Sequence, residues 1–268
     1  MAAVHDRFPG DGRPAAWAAL QAGGAGLPWG NPPALTRLCR DKLDCQRALE
    51  AAGLPGLPPV EADPARFPAA LAAWGAAFLK PRAGSFGAGV RRVTADAPGG
   101  LPATLPTAAP GRADPALLQR AVPPPPGLAG RCLRALVQRQ SEGAWALAPM
   151  VVRESAQDPV VNAARGAGLR PADEVLPADA LAACAALALA AARALAAAPG
   201  CGDAVELGVD LVLDPDHRPW LVEVNARAQG RLEALAPRGP AWAAAHDRAV
   251  EAPLRALLGR AQGRWAGG

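Results

Sequence analysis

The sequence predicts an α+β fold, because its strand-like and helix-like segments come in runs instead of alternating strictly. Three observations carry this reading. Residues 206–213 (ELGVDLVL) and 219–225 (PWLVEVN) alternate apolar and polar positions with a period of two, and DPDHR between them is a turn by composition. Three strand segments, 116–122 (ALLQRAV), 131–139 (RCLRALVQR) and 144–154 (AWALAPMVVRE), then follow one another with no helical stretch between them. An alanine- and leucine-rich run over about residues 179–198, opened by Asp179 and closed by Pro199 and Gly200, reads as one long helix.

The remaining elements follow in order. AAVHD reads as a short strand and PAAWAALQAGG as a helix, followed by the loop LPWGNPP. Together these are fewer elements than a parallel-sheet domain needs, so residues 1–35 are expected to be the remnant of an α/β domain. DKLDCQRALEAAGLP is a helix with Asp41 as N-cap and Gly53 as its stop. DPARFPAALAAWG is a second helix, capped by Asp63 with Pro64 at its first position. AAFLKPRAGSFGAGVRRVT reads as strand, glycine-rich turn and strand. Residues 95–115 are rich in Pro, Gly and Ala without periodicity and are expected to be a long loop. The tail AWAAAHDRAVEAPLRALLGRAQGRW is helical with a break expected at Pro253. The expected division is 1–35, 36–117 and 118–268.

Composition narrows the function. A chain of 268 residues can bury a large core. Its formal charge of +4 comes from scattered arginines with no basic block, which gives little support for nucleic acid. Cys39, Cys45, Cys132, Cys184 and Cys201 form no CxxC pair, which argues against zinc and for reduced thiols in the cytoplasm. The most apolar stretch is alanine-dominated and interrupted by Arg193, so it reads as a buried helix and not as a membrane span.

Among 28 basic residues, Lys42 and Lys80 are the lysines. A lysine serves phosphate as a compact point charge. Lys42 opens a helix, and Lys80 precedes Gly84, Ser85, Gly87 and Gly89, whose backbone amides can converge on an anion. Chain continuing as strand after these glycines sets them apart from a P-loop, and an ordinary hairpin turn has the same composition. Arg131, Arg134 and Arg153 can grip phosphate or carboxylate, although each alone reads more readily as a solvated surface charge. In the 206–225 hairpin, Asp210 points away from the leucine face, while Leu221, Glu223 and Asn225 project together. With Leu213 opposite Trp220, Asp210 faces Glu223. Like charges so placed repel unless a hard cation such as Mg²⁺ lies between them; an exposed edge hairpin is the plainer alternative.

The order RDK with a helix ending AAGLP, then FLKPRAGSFGAGV, LLQRAV, RCLRALVQ, VVRES with VVNAARGAG, and ELGVDLVLD with PWLVEVNA resembles the ATP-grasp superfamily. It is most similar to the YheC/YheD type associated with endospore coats in some bacteria, over roughly residues 30–235. The resemblance implies an ATP-grasp fold of two α+β lobes clasping ATP, with Mg²⁺. Lys42 and Lys80 match the phosphate lysines; Gly84, Ser85, Phe86, Gly87 and Gly89 match the flap; Gln119, Arg120, Ala121 and Val122 match the adenine strand. Arg134 and Arg153 match arginines near the transferred phosphoryl, and Asp210, Glu223 and Asn225 the magnesium ligands. The implied activity is a ligase that converts a small-molecule or peptide carboxylate to an acyl phosphate for attack by an amine. The alternative is a non-catalytic ATP-binding or coat scaffold. The chain departs from the family pattern in PPPP after the adenine strand, in Cys132 two residues before Arg134, and in ARAQ after Asn225.

Overall fold

The computed structural model describes residues 29–85, 87–96, 100–106, 111, 113–162 and 166–265, together with residues 5 and 22–23. The expected strand AAVHD and helix PAAWAALQAGG fall almost wholly outside the described residues, as do Phe86 and Arg165. The described helices are α1 (Pro33–Arg40), α2 (Lys42–Ala51), α3 (Phe67–Trp74), α4 (Ala178–Ala196) and α5 (Pro240–Ala261). The strands are β1 (Val60–Glu61), β2 (Ala76–Pro81), β3 (Arg91–Thr94), β4 (Thr104–Pro106), β5 (Ala113–Arg120), β6 (Gly130–Arg139), β7 (Trp145–Leu147), β8 (Val151–Ser155), β9 (Gly168–Pro171), β10 (Glu206–Leu213) and β11 (Pro219–Asn225).

These make two antiparallel sheets. The first has the order β1-β5-β2-β3, with β4 also on β5; the second is β11-β10-β6-β8-β9, with β7 also on β6. The first is backed by α3, whose Phe67 and Leu71 pack on Ala77, Leu79, Val93 and Leu118. The second is backed by α4. Leu133, Ala135 and Val137 of β6 and Leu207, Val209 and Leu211 of β10 meet Cys184, Leu187, Ala188, Ala191 and Leu195. Alanines let the α4 axis approach the sheet closely and favour the helix intrinsically. By length and apolar composition α4 would also pass as a membrane span, but one side of it is built into this core. Helices α1 and α2 join the same core through Leu35, Cys39, Cys45 and Leu49. The segment bearing Lys42 therefore packs with the second sheet, and the chain crosses to the first sheet only afterwards.

Several elements differ from expectation. The loop expected over 95–115 contains β4, because Thr104–Pro106 finds a partner in Ala113–Pro115. The strand expected over 144–154 is two strands, β7 and β8, both paired to β6 and divided around Pro149. Helix α1 and strand β9 were not foreseen. Asp179 lies in the first turn of α4 while Pro177 is its cap position.

The expected break at Pro253 is absent, since α5 runs through it. A proline there withholds the N–H that would bond the Ala249 carbonyl. Gln138 Nε2 supplies the donor instead, at 2.7 Å from Ala249 O. The same helix is seated by Gly259, where any Cβ would collide with the Ser141 carbonyl. Ala normally stabilises a helix interior by about 1 kcal/mol over Gly. Gly259→Ala is expected to do the opposite, lowering unfolding free energy by about 1–3 kcal/mol in urea titration through overpacking.

Candidate active site

The opposed carboxylates lie on the face of the second sheet turned away from α4. Asp210 of β10 pairs with Glu223 of β11, as the sequence predicts, but the turn end of the hairpin is offset: Leu213 pairs with Pro219 and Val212 with Trp220. The register shifts between Asp210 and Leu211, so Val222 is an extra residue on β11, a β-bulge. This corrects the face assignment. Leu221 does not project with Glu223 and Asn225; it joins Val224 in the core against α4. The bulge also leaves the Val222 carbonyl to accept from Lys80 Nζ at 3.4 Å.

Asp210 is the hub. Arg134 Nε lies 2.9 Å from Oδ1 and Arg134 Nη2 donates to Oδ2 at 3.0 Å. Arg153 Nη2 is in short contact with Oδ1, and Asn225 Nδ2 donates to Oδ2 at 3.2 Å. Strand pairing dictates this gathering, since Arg134 is the cross-strand partner of Asp210, and Arg153 that of Cys132. Burial pulls the Arg153 guanidinium down, but Asp210 and Cys132 more than offset it and hold it above its ordinary value. Burial pushes the Cys132 thiol up to about 11, so it is a neutral thiol 3.4 Å from Arg153 Nη2. Gly208 makes room for Arg134, whose Nη1 occupies the space a Cβ would take.

The two lysines reach this cluster from different elements. Asp41 caps α2 by accepting from the Leu43 and Asp44 amides. Lys42, at the first helical position, donates to the Gly84 carbonyl at 3.0 Å and stands 3.6 Å from Glu223 Oε1. A cation at a helix N-terminus opposes the helix dipole, which an anion placed there would offset. Lys80, on β2, is 7% exposed and donates to Gln119 Oε1 at 2.6 Å. Burial lowers its amine to about 8. Arg82 was not anticipated from sequence. Its Nε bridges both Asp41 oxygens at 2.8 and 2.7 Å and its Nη2 reaches Asp44 at 3.0 Å, tying the base of the glycine-rich turn to the start of α2.

Of the remaining expected residues, Ser85, Gly87 and Gly89 lie in the turn between β2 and β3, and Gly87 approaches Val160 and Asn162 beyond β8. Gln119 and Arg120 end β5; the Arg120 and Ala121 amides are spent on the Pro59 and Ala76 carbonyls, and Val122 follows. The Arg120 guanidinium stacks on Trp220, 5.0 Å from the ring centroid. Arg131 is paired with Glu154 at 2.6 Å, outside the cluster. The five cysteines are free and buried.

Asp210, Glu223 and Asn225 are the residues that could hold a hard divalent cation. Glu223 and Asp210 face one another, though both Asp210 oxygens already accept from Arg134, Arg153 and Asn225, and no group of three or more His, Cys, Asp or Glu that could hold a metal ion occurs among the described residues. Such a set closes only with water and phosphate oxygens, which is the habit of Mg²⁺. Asn225 donates Nδ2 to Asp210, so it would have to turn its Oδ1 toward the ion.

Comparison with known proteins bears on this geometry. The structure is similar to D-cycloserine synthetase DcsG (18% identity, 94% of this chain and 80% of that one, TM-score 0.58). It is similar also to the VanG D-Ala:D-Ser ligase from Enterococcus faecalis (16% identity, 93% and 72%, TM-score 0.58). N5-carboxyaminoimidazole ribonucleotide synthetase from Thermotoga maritima aligns as well (14% identity, 90% and 56%, TM-score 0.54). The chain spans less than two thirds of the length of this last protein. A comparison with curated proteins gives no match. The two sheets and the cluster between them are an ATP-grasp fold. Within it, residues 131–238 match the YheC/D-like ATP-grasp family.

Asp210→Asn keeps the shape and removes the charge that two guanidiniums share. It is expected to destabilise the protein by about 3–5 kcal/mol in urea titration. Glu223→Gln, whose side chain is 30% exposed, is expected to change stability by less than about 1 kcal/mol.

Proposed function

We propose that the protein is a Mg²⁺- and ATP-dependent ligase that joins a carboxylate to an amine through an acyl phosphate. One observation carries this reading: Lys42, Arg134 and Arg153 pair with two carboxylates, Asp210 and Glu223, and Lys80 stands beside them on the Val222 carbonyl. That surplus of positive charge calls for a polyanion, and a nucleotide triphosphate supplies one. Lys42 and Lys80 hold its phosphates, and the turn from Gly84 to Gly89 covers them. The end of β5 faces the adenine.

The substrate carboxylate oxygen attacks the γ-phosphorus as the bond to the β-phosphate oxygen breaks, so ADP leaves with that electron pair. Arg134 and Arg153 are placed to hold the carboxylate and offset charge on the moving phosphoryl group; such positioned charges supply most of the catalysis in phosphoryl transfer. Asp210 fixes both guanidiniums before substrate arrives. Bound Mg²⁺, held by Asp210, Glu223 and Asn225, supplies neutralisation of phosphate charge. Closure of the glycine turn keeps water from the acyl phosphate. Five free buried thiols fit a cytoplasmic setting.

ADP release in the presence of Mg²⁺, ATP, and a panel of carboxylates and amines tests the reading. Glu223→Gln is expected to lower it by about 10²–10³, the usual cost of one electrostatic stabiliser. Undiminished ADP release in that variant overturns the metal assignment. No binding of a non-hydrolysable ATP analogue by the folded protein points to the scaffold alternative. Affinity for that analogue also has a pH signature. Phosphate binds the protonated amine of Lys80, which loses its proton near pH 8 in the free protein. Calorimetry is expected to show affinity falling toward about tenfold per pH unit above 8, and a flat profile in Lys80→Met.

A further inference from the structure

We infer that Arg82 is a positioning residue for the nucleotide phosphates: it clasps the start of α2 to the base of the glycine-rich turn and so fixes Lys42 against that turn. The inference rests on the ligase reading. Arg82 directly follows β2, and its amide donates to the Pro115 carbonyl of β5 at 2.8 Å, which seats it on the first sheet. Helix α2 packs elsewhere, since its Cys45 and Leu49 lie in the core beneath the second sheet. Arg82 spans the two. Its Nε meets both Asp41 oxygens at 2.8 and 2.7 Å and its Nη2 meets Asp44 at 3.0 Å, while its carbonyl accepts from the Lys42 amide at 3.0 Å. Two residues further on, the Gly84 carbonyl accepts from Lys42 Nζ.

The clasp needs a planar fork. A lysine ammonium is a point charge, whereas a guanidinium presents its donors in a fixed plane and meets both carboxylates at once. Asp41 serves two partners: it caps α2 through the Leu43 and Asp44 amides and receives Arg82 on both oxygens. Burial pushes the Asp41 carboxyl up, but the hydrogen bonds from Arg82 and from the Asp44 and Leu43 amides more than offset this and hold it below its ordinary value. The side chains of Arg82, Asp41 and Asp44 are 32%, 28% and 49% exposed. Ion pairs so exposed add little to stability. What these three fix is position.

When phosphate arrives, Lys42 Nζ exchanges the Gly84 carbonyl and Glu223 for phosphate oxygens. The contacts of Arg82 are to the Lys42 main chain and to its acidic neighbours, so they persist through that exchange. Lys42 keeps one approach to the phosphates, and order present beforehand is not lost on binding. A merely electrostatic role for Arg82, adding positive charge near the phosphates, makes a different prediction. Neutralising Asp41 would then strengthen nucleotide binding, whereas breaking a clasp weakens it.

Calorimetry of the full chain with a non-hydrolysable ATP analogue and Mg²⁺ tests this in Arg82→Ala, Asp41→Asn, Lys42→Met and the double variant of Arg82→Ala with Lys42→Met. Arg82→Ala is expected to weaken binding about tenfold, the lower end for a hydrogen bond to a charged group. Asparagine still caps a helix, so Asp41→Asn leaves α2 intact. It is expected to weaken binding by about threefold, a modest coupling between neighbours. In the Lys42→Met background, removing Arg82 is expected to change affinity by less than about twofold, because its effect passes through Lys42. Unchanged affinity in Arg82→Ala overturns the inference. So does unchanged or tighter binding in Asp41→Asn, or the same loss from Arg82→Ala with and without Lys42. If Arg82→Ala fails to fold, Asp41→Asn decides by itself. In each of these outcomes the wild type still binds nucleotide and the ligase reading stands. No binding by the folded wild type overturns both.

Discussion

The shared hold of Asp210 on Arg134 and Arg153 is the interaction on which the site depends. A charge removed from water needs a partner, and here one carboxylate serves two guanidiniums and the amide of Asn225. The arrangement is enforced by register. Arg134 stands opposite Asp210, and Arg153 stands opposite Cys132 one strand further along. A slip of one residue would turn these charges into the alanine-rich core against α4. The apolar packing on that side, with Leu133, Val137, Leu207 and Leu211 fully buried, therefore holds the polar side in place.

The bulge at Val222 lets one strand serve both sides. Without it Leu221 and Glu223 would share a face, and either a leucine would sit in the site or a glutamate in the core. With it, Leu221 and Val224 both pack against α4, while Glu223 faces Asp210. The displaced carbonyl of Val222 accepts from Lys80. The bulge thus also joins the two sheets at the point where the positive charges gather.

Between the two sheets, Lys80 donates to the Val222 carbonyl and Arg120 stacks on Trp220. Each sheet has its own apolar core. Such an interface opens at lower cost than a continuous core would, which suits a fold that must admit a ligand between its halves. Cys132 adds a neutral thiol beside Arg153 and leaves Asp210 as the carboxylate that holds the guanidinium.

By itself the sequence determined whatever depends on neighbours in the chain. The Asp41 cap, the two-residue alternation of β10, the glycine-rich turn after Lys80 and the opposition of Asp210 to Glu223 follow from local backbone geometry and side-chain chemistry. Tertiary structure decided what depends on distant partners. Pro253 passes through α5 because Gln138, more than a hundred residues away, supplies the missing donor. Val222 bulges because the core claims Leu221 and Val224 together. Strand β9 and the split of β7 from β8 arise from pairing with β8 and β6. Arg82 became part of the site only when the chain returned it to Asp41, since a long-range ion pair leaves no periodic mark in the residues that form it.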